Sequence, residues 1–144
     1  LASVYSELEM HDEAIEIGLR MVDLKPYDHT NHFTMVRLYN SADNREKSAA
    51  HLMLQDVLSS KEPIRGVDLR QYVTDSRPGS DIRRVMLDRG EPEQYYKYSG
   101  TRGTYDIWFY WTSGRVYIFQ NGREVFRDEF KPLGSDWQAV VMGE

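Results

Sequence analysis

Two of the four histidines have a spacing that could serve metal chemistry. His29 and His32 lie one helical turn apart, so a helix would present both rings as ligands. A third ligand at a suitable spacing is missing, and the chain contains no cysteine. The remaining histidines, His11 and His51, add no further pattern. The sequence therefore indicates ordinary helix histidines and predicts no metal site.

Glu91 and Glu93 flank Pro92 and are a candidate pair for acid–base catalysis. Such a pair needs a pocket that separates the two pKa values, whereas a proline between them predicts an exposed turn. The sequence contains no nucleophile elbow and no phosphate-binding glycine motif, and residues 100–103 are predicted to be a flexible loop. We therefore expect a protein that is not an enzyme and that uses no cofactor.

Arginines are concentrated in one stretch, where Arg83, Arg84 and Arg89 fall on a single predicted helix. Further basic residues lie nearby in the sequence at Arg65, Arg70, Arg77 and Lys97. A solvated helix face is the simplest interpretation, and an acidic partner or a lipid headgroup is the alternative. The formal net charge of -5 argues against nucleic acid as a partner.

Most aromatic residues lie between Tyr95 and Phe130, in a segment rich in β-forming residues. Ser-Gly at 113–114 and Asn-Gly at 121–122 are hairpin-turn sequences. They predict a three-stranded antiparallel meander with strands at 104–112, 115–120 and 123–130. A helix over 81–89 is predicted to precede it, with Ile82, Val85 and Met86 on one face and Gly90 as its C-terminal cap.

Two-residue turns at both positions would set the register of this meander. Trp108 would lie opposite Phe119, and Tyr110 opposite Tyr117 with Phe126 beyond it. The other face would carry Phe109, Trp111, Val116, Ile118 and Val125. Both faces are therefore predicted to be apolar, and one short helix can cover only one of them.

The face that carries Trp108, Tyr110 and Tyr117 supports two interpretations. If it is open, its rings could stack against carbohydrate or lipid, which would make the chain a ligand-binding module. Aromatic rows in a meander are more often part of a core, so we expect this face to be covered. Residues 67–73, the tail around Trp137 and the last helix of the N-terminal half are the three candidate covers.

The N-terminal half contains a weak internal repeat with a period of 34 residues, since Tyr5 recurs as Tyr39 and Leu24 as Leu58. The same offset relates Ala14 to Ser48, Ala2 to Val36 and Leu1 to Met35. A period of this length is typical of stacked helix-turn-helix repeats. Helices are predicted over 12–24, from the Asp28 cap to about residue 39, and over 46–58. Buried positions are expected at Ala14, Ile15, Gly18, Met21, Val22, Phe33, Met35, Val36, Leu38, Tyr39, Ala49, Leu52, Met53, Val57 and Leu58.

The strings L-A-x-x-Y, D-E-A-I-E and V-x-L-x-P in the first copy resemble the tetratricopeptide repeat (TPR). The resemblance covers residues 1–60 and implies antiparallel helices that present a groove to a protein or peptide partner. It places Ala2 at a close helix crossing, Tyr5 as a filler and Pro26 at a bend. Candidate partner-binding residues on the complete groove-facing helix are Asn31, Thr34, Arg37 and Leu38.

In residues 79–130, a predicted helix is followed by Gly-Glu-Pro-Glu and then by the strings W-x-Y and V-Y-I-F-Q-N-G-R-E. This order resembles the small α+β domains of bacterial outer-membrane assembly lipoproteins. The resemblance implies a binding role and not a catalytic one. It also implies a bacterial envelope or periplasmic setting, with the cytoplasm as the alternative.

These patterns together predict an α+β chain with TPR-like hairpins over 1–60, a connector over 61–78 and a small α+β domain over 79–144. The predicted function is that of a non-catalytic scaffold or adaptor. The chain opens in mid-helix without an initiator methionine, so we expect a longer protein whose first repeat is truncated here. The missing cover over Leu1, Val4 and Leu8 predicts self-association. No apolar run is long enough to span a bilayer.

Overall fold

The computed structural model describes residues 2–143, and within the first helix it describes side chains from Met10 onward. The chain divides into two compact units, Leu1–Lys61 and Glu62–Glu144, which are described separately below. The predictions for the side chains of Leu1, Ala2, Val4, Tyr5 and Leu8 lie outside the described residues.

The first unit consists of three helices: α1 (Ala2–Leu24), α2 (His29–Ser41) and α3 (Arg45–Ser60). Short connections place α1 against α2 and α2 against α3. The predicted cap of α2 is confirmed, because the Asp28 carboxylate accepts the Thr30 backbone N–H at 3.0 Å. The helix predicted to begin at residue 12 begins at Ala2 instead. No glycine or proline stands between Ala2 and Asp12, so nothing in that stretch breaks the helix.

The core of the first unit lies where α1 crosses α2. Val22, Met35 and Tyr39 are buried there, and Ile15 packs against them. Gly18 permits the close approach, since a Cβ at this position would lie 2.6 Å from the Met35 sulfur.

The predicted buried positions hold for Met35, Val36, Tyr39 and Val57, but those at Met21, Phe33, Ala49 and Leu52 are wrong. These four side chains are exposed, while Ala50 and Leu54 are buried. The buried face of α3 is therefore rotated from the predicted one, because His51 takes a core position that hydrophobicity alone does not assign.

The second unit is built on one antiparallel sheet with short helices around it. Its helices are α4 (Leu69–Thr74), α5 (Asp81–Arg89) and α6 (Trp137–Met142), and a 3₁₀ turn spans Gly134–Asp136. Its strands are β1 (Gln94–Gly100), β2 (Gly103–Tyr110), β3 (Arg115–Gln120) and β4 (Arg123–Glu129), paired in chain order. The predicted helix over 81–89 and its Gly90 cap, with φ of 78°, are confirmed. The segment 61–78, predicted as a connector, contains α4.

The prediction of a three-stranded meander is wrong, because the sheet has four strands. The missed strand is β1, which pairs along its length with β2. The segment predicted as a flexible loop is a two-residue hairpin turn in which Gly100 pairs with Gly103. Thr101-Arg102 is not one of the dipeptides that favour such turns, so the sequence carried no hairpin signal at this point.

The predicted register between β2 and β3 is also wrong, by two residues. The connection is a four-residue turn, Trp111–Gly114, closed by the Gly114 N–H donating to the Tyr110 carbonyl at 2.8 Å. Trp108 therefore pairs with Tyr117 and not with Phe119. A shift of two residues leaves each side chain on its predicted face, since the side-chain period of a strand is two.

Between β3 and β4 the predicted register holds at the turn, where Gln120 pairs with Arg123, and then fails at a bulge between Ile118 and Phe119. Beyond the bulge Phe126 pairs with Ile118, so it moves to the face opposite the predicted one. The bulge leaves Val125 without a partner and half-exposed.

Candidate functional site

Helix α1 exposes a row of large apolar side chains. Met10, Ile17, Met21 and Leu24 are 64%, 57%, 44% and 62% exposed. Their spacing of seven, four and three residues aligns them on one face, with Ala14 filling the remaining position of the row. We call these four residues the α1 apolar face. It is an apolar stripe open to solvent, on a helix whose other apolar face packs against α2.

The α1 apolar face is distinct from the face that packs on α2. A Cβ at Gly18 would collide with Met35 and crowd Leu38, and Val22 belongs to the same core. At 100° per residue, that packed face lies about 110° around the helix from the exposed one. Helix α1 therefore carries two apolar faces, of which one is covered within the described residues and the other is exposed.

The four predicted partner-binding residues do not form one surface. Asn31 is buried, and its amide group donates to the carbonyls of Met21 and Lys25 at 3.2 Å each, which satisfies the C-terminal end of α1. Leu38 is half-buried against the core of the first unit. Only Thr34 and Arg37 are exposed, and Thr34 donates its hydroxyl to the Thr30 carbonyl.

A buried histidine pair, which the sequence pattern did not predict, joins α2 to α3. The Nδ1 atoms of His32 and His51 lie 3.0 Å apart, and the Nε2 atom of His32 lies 2.6 Å from the Pro26 carbonyl oxygen. The His51 ring also stacks on the Tyr39 ring, with centroids 5.7 Å apart. The only available signal was weak: a histidine on each of two predicted helices, both at positions next to buried residues.

The partners of this pair determine where its protons lie. A carbonyl oxygen only accepts, so His32 carries its proton on Nε2 and leaves Nδ1 bare. His51 must then donate its own Nδ1 proton to that bare nitrogen. Burial lowers the pKa of His32 to about 4, against a raising effect of the Pro26 hydrogen bond and of Asp28. Burial also lowers the pKa of His51 to about 3, helped by the neighbouring His32 and Lys47.

The other candidate residues from the sequence lie in separate environments. His29 is exposed while His32 is buried, and the described residues contain no group of three side chains that could hold a metal ion. Glu91 forms an ion pair with Arg70 at 3.3 Å. Glu93 accepts the Thr112 backbone N–H at 2.7 Å, so the two carboxylates have separate structural partners.

The aromatic face of the sheet is covered, as predicted from the sequence. Trp108, Tyr110 and Tyr117 are buried in one cluster with side chains of α4 and α5. The cover includes Leu69 and Val73, which lie in the predicted covering segment 67–73. The three rings proposed as an alternative ligand face therefore serve as core and offer no open stacking surface.

Comparison with known proteins found no matching family model, no matching curated protein and no matching solved structure. The resemblances to TPR proteins and to envelope lipoprotein domains therefore stay predictions. Among the described residues, no helix combines the length and apolar character needed to cross a membrane.

Proposed function

We propose that this chain is a non-catalytic scaffold or adaptor that binds another protein through the α1 apolar face of a TPR-like helical unit. The observation that carries the proposal is the exposed row of Met10, Ile17, Met21 and Leu24. Isolated exposed apolar side chains need no explanation, but a contiguous stripe indicates an interaction surface.

The spacing of the row favours a helix as its partner. Apolar residues that alternate four and three positions apart form the seam at which two helices interlock. The packed face of α1 already packs against α2 in this way, and there the Met35 side chain lies close to Gly18. A second helix against the exposed face would continue the same layered arrangement, which is how helical repeats bury their apolar surfaces.

The setting we propose is bacterial envelope assembly, supported by the resemblance of residues 79–130 to envelope lipoprotein domains. The partner helix belongs to a second protein or to another copy of this chain. Either partner would present an apolar helix face with the same spacing, so the experiment is designed to distinguish the two.

The test introduces a charge into the seam. Ile17→Glu is the test variant, and Val67→Glu is the matched control because Val67 is also about half-exposed but lies in the other unit. We expect sedimentation velocity to show dimers of the unaltered chain that Ile17→Glu abolishes, if the partner is a second copy.

A photo-crosslinker at position 17 provides the second readout in cells that make the protein. We expect a specific adduct from position 17 and none from position 67. A chain that stays monomeric at high concentration and forms no adduct from position 17 beyond the level at 67 would contradict the proposal. Circular dichroism checks that each variant keeps its helices.

A further inference from the structure

The second unit contains a cleft between α5 and strands β3 and β4, and its walls are rich in arginine. Its volume is about 830 Å³, within the range of small-molecule sites. Its charged lining consists of five arginines, namely Arg83, Arg84, Arg89, Arg115 and Arg127, and one carboxylate, Asp88. We call it the arginine cleft. Sequence alone indicated only the three on α5, because Arg115 and Arg127 reach the cleft from β3 and β4.

The arginines differ in how many hydrogen bonds and ion pairs they already form within the protein. Arg83 donates to the carbonyls of Val73 and Thr74 at the end of α4, so it has a structural role. Arg89 has no ion pair or hydrogen bond among the described residues, and its guanidinium lies 6.0 Å from the centroid of the Tyr117 ring. Arg127 approaches the same ring at 5.7 Å. Two guanidinium groups therefore lie near the same ring in the cleft lining.

The remaining three arginines form ion pairs of different strength. Arg127 donates two hydrogen bonds to Glu124, both at 2.8 Å, and the Glu124 side chain is only 18% exposed, so this pair is a firm structural one. Arg84 pairs with Asp81 at 2.8 Å and Arg115 pairs with Glu129 at 2.9 Å, each through a single contact in which one side chain is more than half exposed. Exposed pairs of this kind contribute little, because water and salt screen the attraction. A stronger anion can therefore recruit Arg84 and Arg115 beside Arg89.

We propose that the arginine cleft binds a small phosphate-bearing ligand that carries at least two negative charges. A single carboxylate would only exchange with the carboxylates already present and would gain little. A phosphate group offers three acceptor oxygens and a second charge, and it matches the planar donor fork of arginine. The cleft has room for more than one phosphate group, so a diphosphate or a larger phosphate-bearing molecule fits it.

The phosphate could come from a soluble molecule or from a lipid headgroup, and the chemistry of recognition is the same. This proposal concerns the second unit and does not depend on the partner surface of α1. The substitutions that test the two proposals lie in different units.

The experiment titrates the full chain with pyrophosphate, followed by calorimetry and by NMR of the arginine Nε–Hε groups. Arg89→Gln removes the arginine that has no carboxylate partner, and we expect pyrophosphate affinity to fall about tenfold. Arg102→Gln is the control, because it makes the same charge change in the β1–β2 turn, outside the cleft lining. We expect less than about a twofold effect from it, since only screened long-range attraction is lost.

A second arm measures binding to phosphatidylcholine vesicles with and without phosphatidic acid. Binding to pyrophosphate alone assigns a soluble ligand, and binding to phosphatidic acid vesicles that Arg89→Gln weakens assigns a headgroup. No binding in either arm would overturn the proposal. An equal loss in Arg102→Gln, or equal affinity for acetate, would also overturn it, because attraction would then depend on net charge alone.

Discussion

The buried histidine pair predicts that the protein loses stability between pH 7 and pH 5. Unfolded histidine has a pKa of 6.5, whereas burial lowers the pKa of His32 to about 4 and that of His51 to about 3. In this pH range the unfolded chain takes up protons at both positions and the folded chain does not. The free energy of unfolding is therefore highest well above pH 6.5, and it falls as the pH drops below that value.

The size of the loss follows from these shifts. At pH 5 each histidine is protonated in the unfolded state and largely neutral in the folded state, which costs about 2 kcal/mol per group relative to pH 7. The pair together gives a loss of roughly 3–4 kcal/mol, a large part of a typical domain stability of about 5–15 kcal/mol. Folding also lowers the pKa of Asp28 and Asp81, but those carboxylates lose their stabilising effect mainly near and below their ordinary value of 3.8.

Urea unfolding followed by circular dichroism at pH 7, 6 and 5 measures the loss. His51→Asn keeps an amide donor at the Nδ1 position but cannot titrate, so we expect it to remove about half of the pH dependence. His29→Asn is the control, since His29 is an exposed histidine on α2, the helix that carries His32. Long-range ¹H–¹⁵N NMR reads the tautomers directly. A folded protein in which His32 titrates near pH 6.5, or a loss below about 1 kcal/mol at pH 5, would refute this reasoning.

Three further predictions concern the cores. Tyr39→Ala removes a buried ring that stacks on His51, and urea unfolding should show a loss of about 3–5 kcal/mol; a loss below about 1 kcal/mol would contradict the assigned core position. Gly114→Ala places a side chain at φ of 80° and against the Phe130 carbonyl, so we expect a loss of at least about 1 kcal/mol, and unchanged stability would contradict the left-handed conformation of this turn. In a variant that keeps Trp108 as its only tryptophan, acrylamide should quench fluorescence weakly because the ring is fully buried, and strong quenching would show an open sheet face.

Local signals in the sequence were sufficient for the ends of several elements. The Asp28 cap, the Gly90 cap and the Asn-Gly turn at 121–122 each depend on a few neighbouring residues, so the sequence alone predicts them. The arginines of α5 were also visible as a cluster. The cleft itself could not be predicted, because Arg115 and Arg127 lie on β3 and β4, and the register of these strands had to be known first.

The sequence by itself determined the helical character of the first 60 residues, the amphipathic helix at 81–89 and the apolar character of both sheet faces. These properties depend on periodicity and on local backbone preference. Tertiary structure decided the fourth strand, the bulge that moves Phe126 to the other face and the pairing of His32 with His51. Each of these is a choice between distant segments with similar local preferences, and the free energy of burying surface between them settles it.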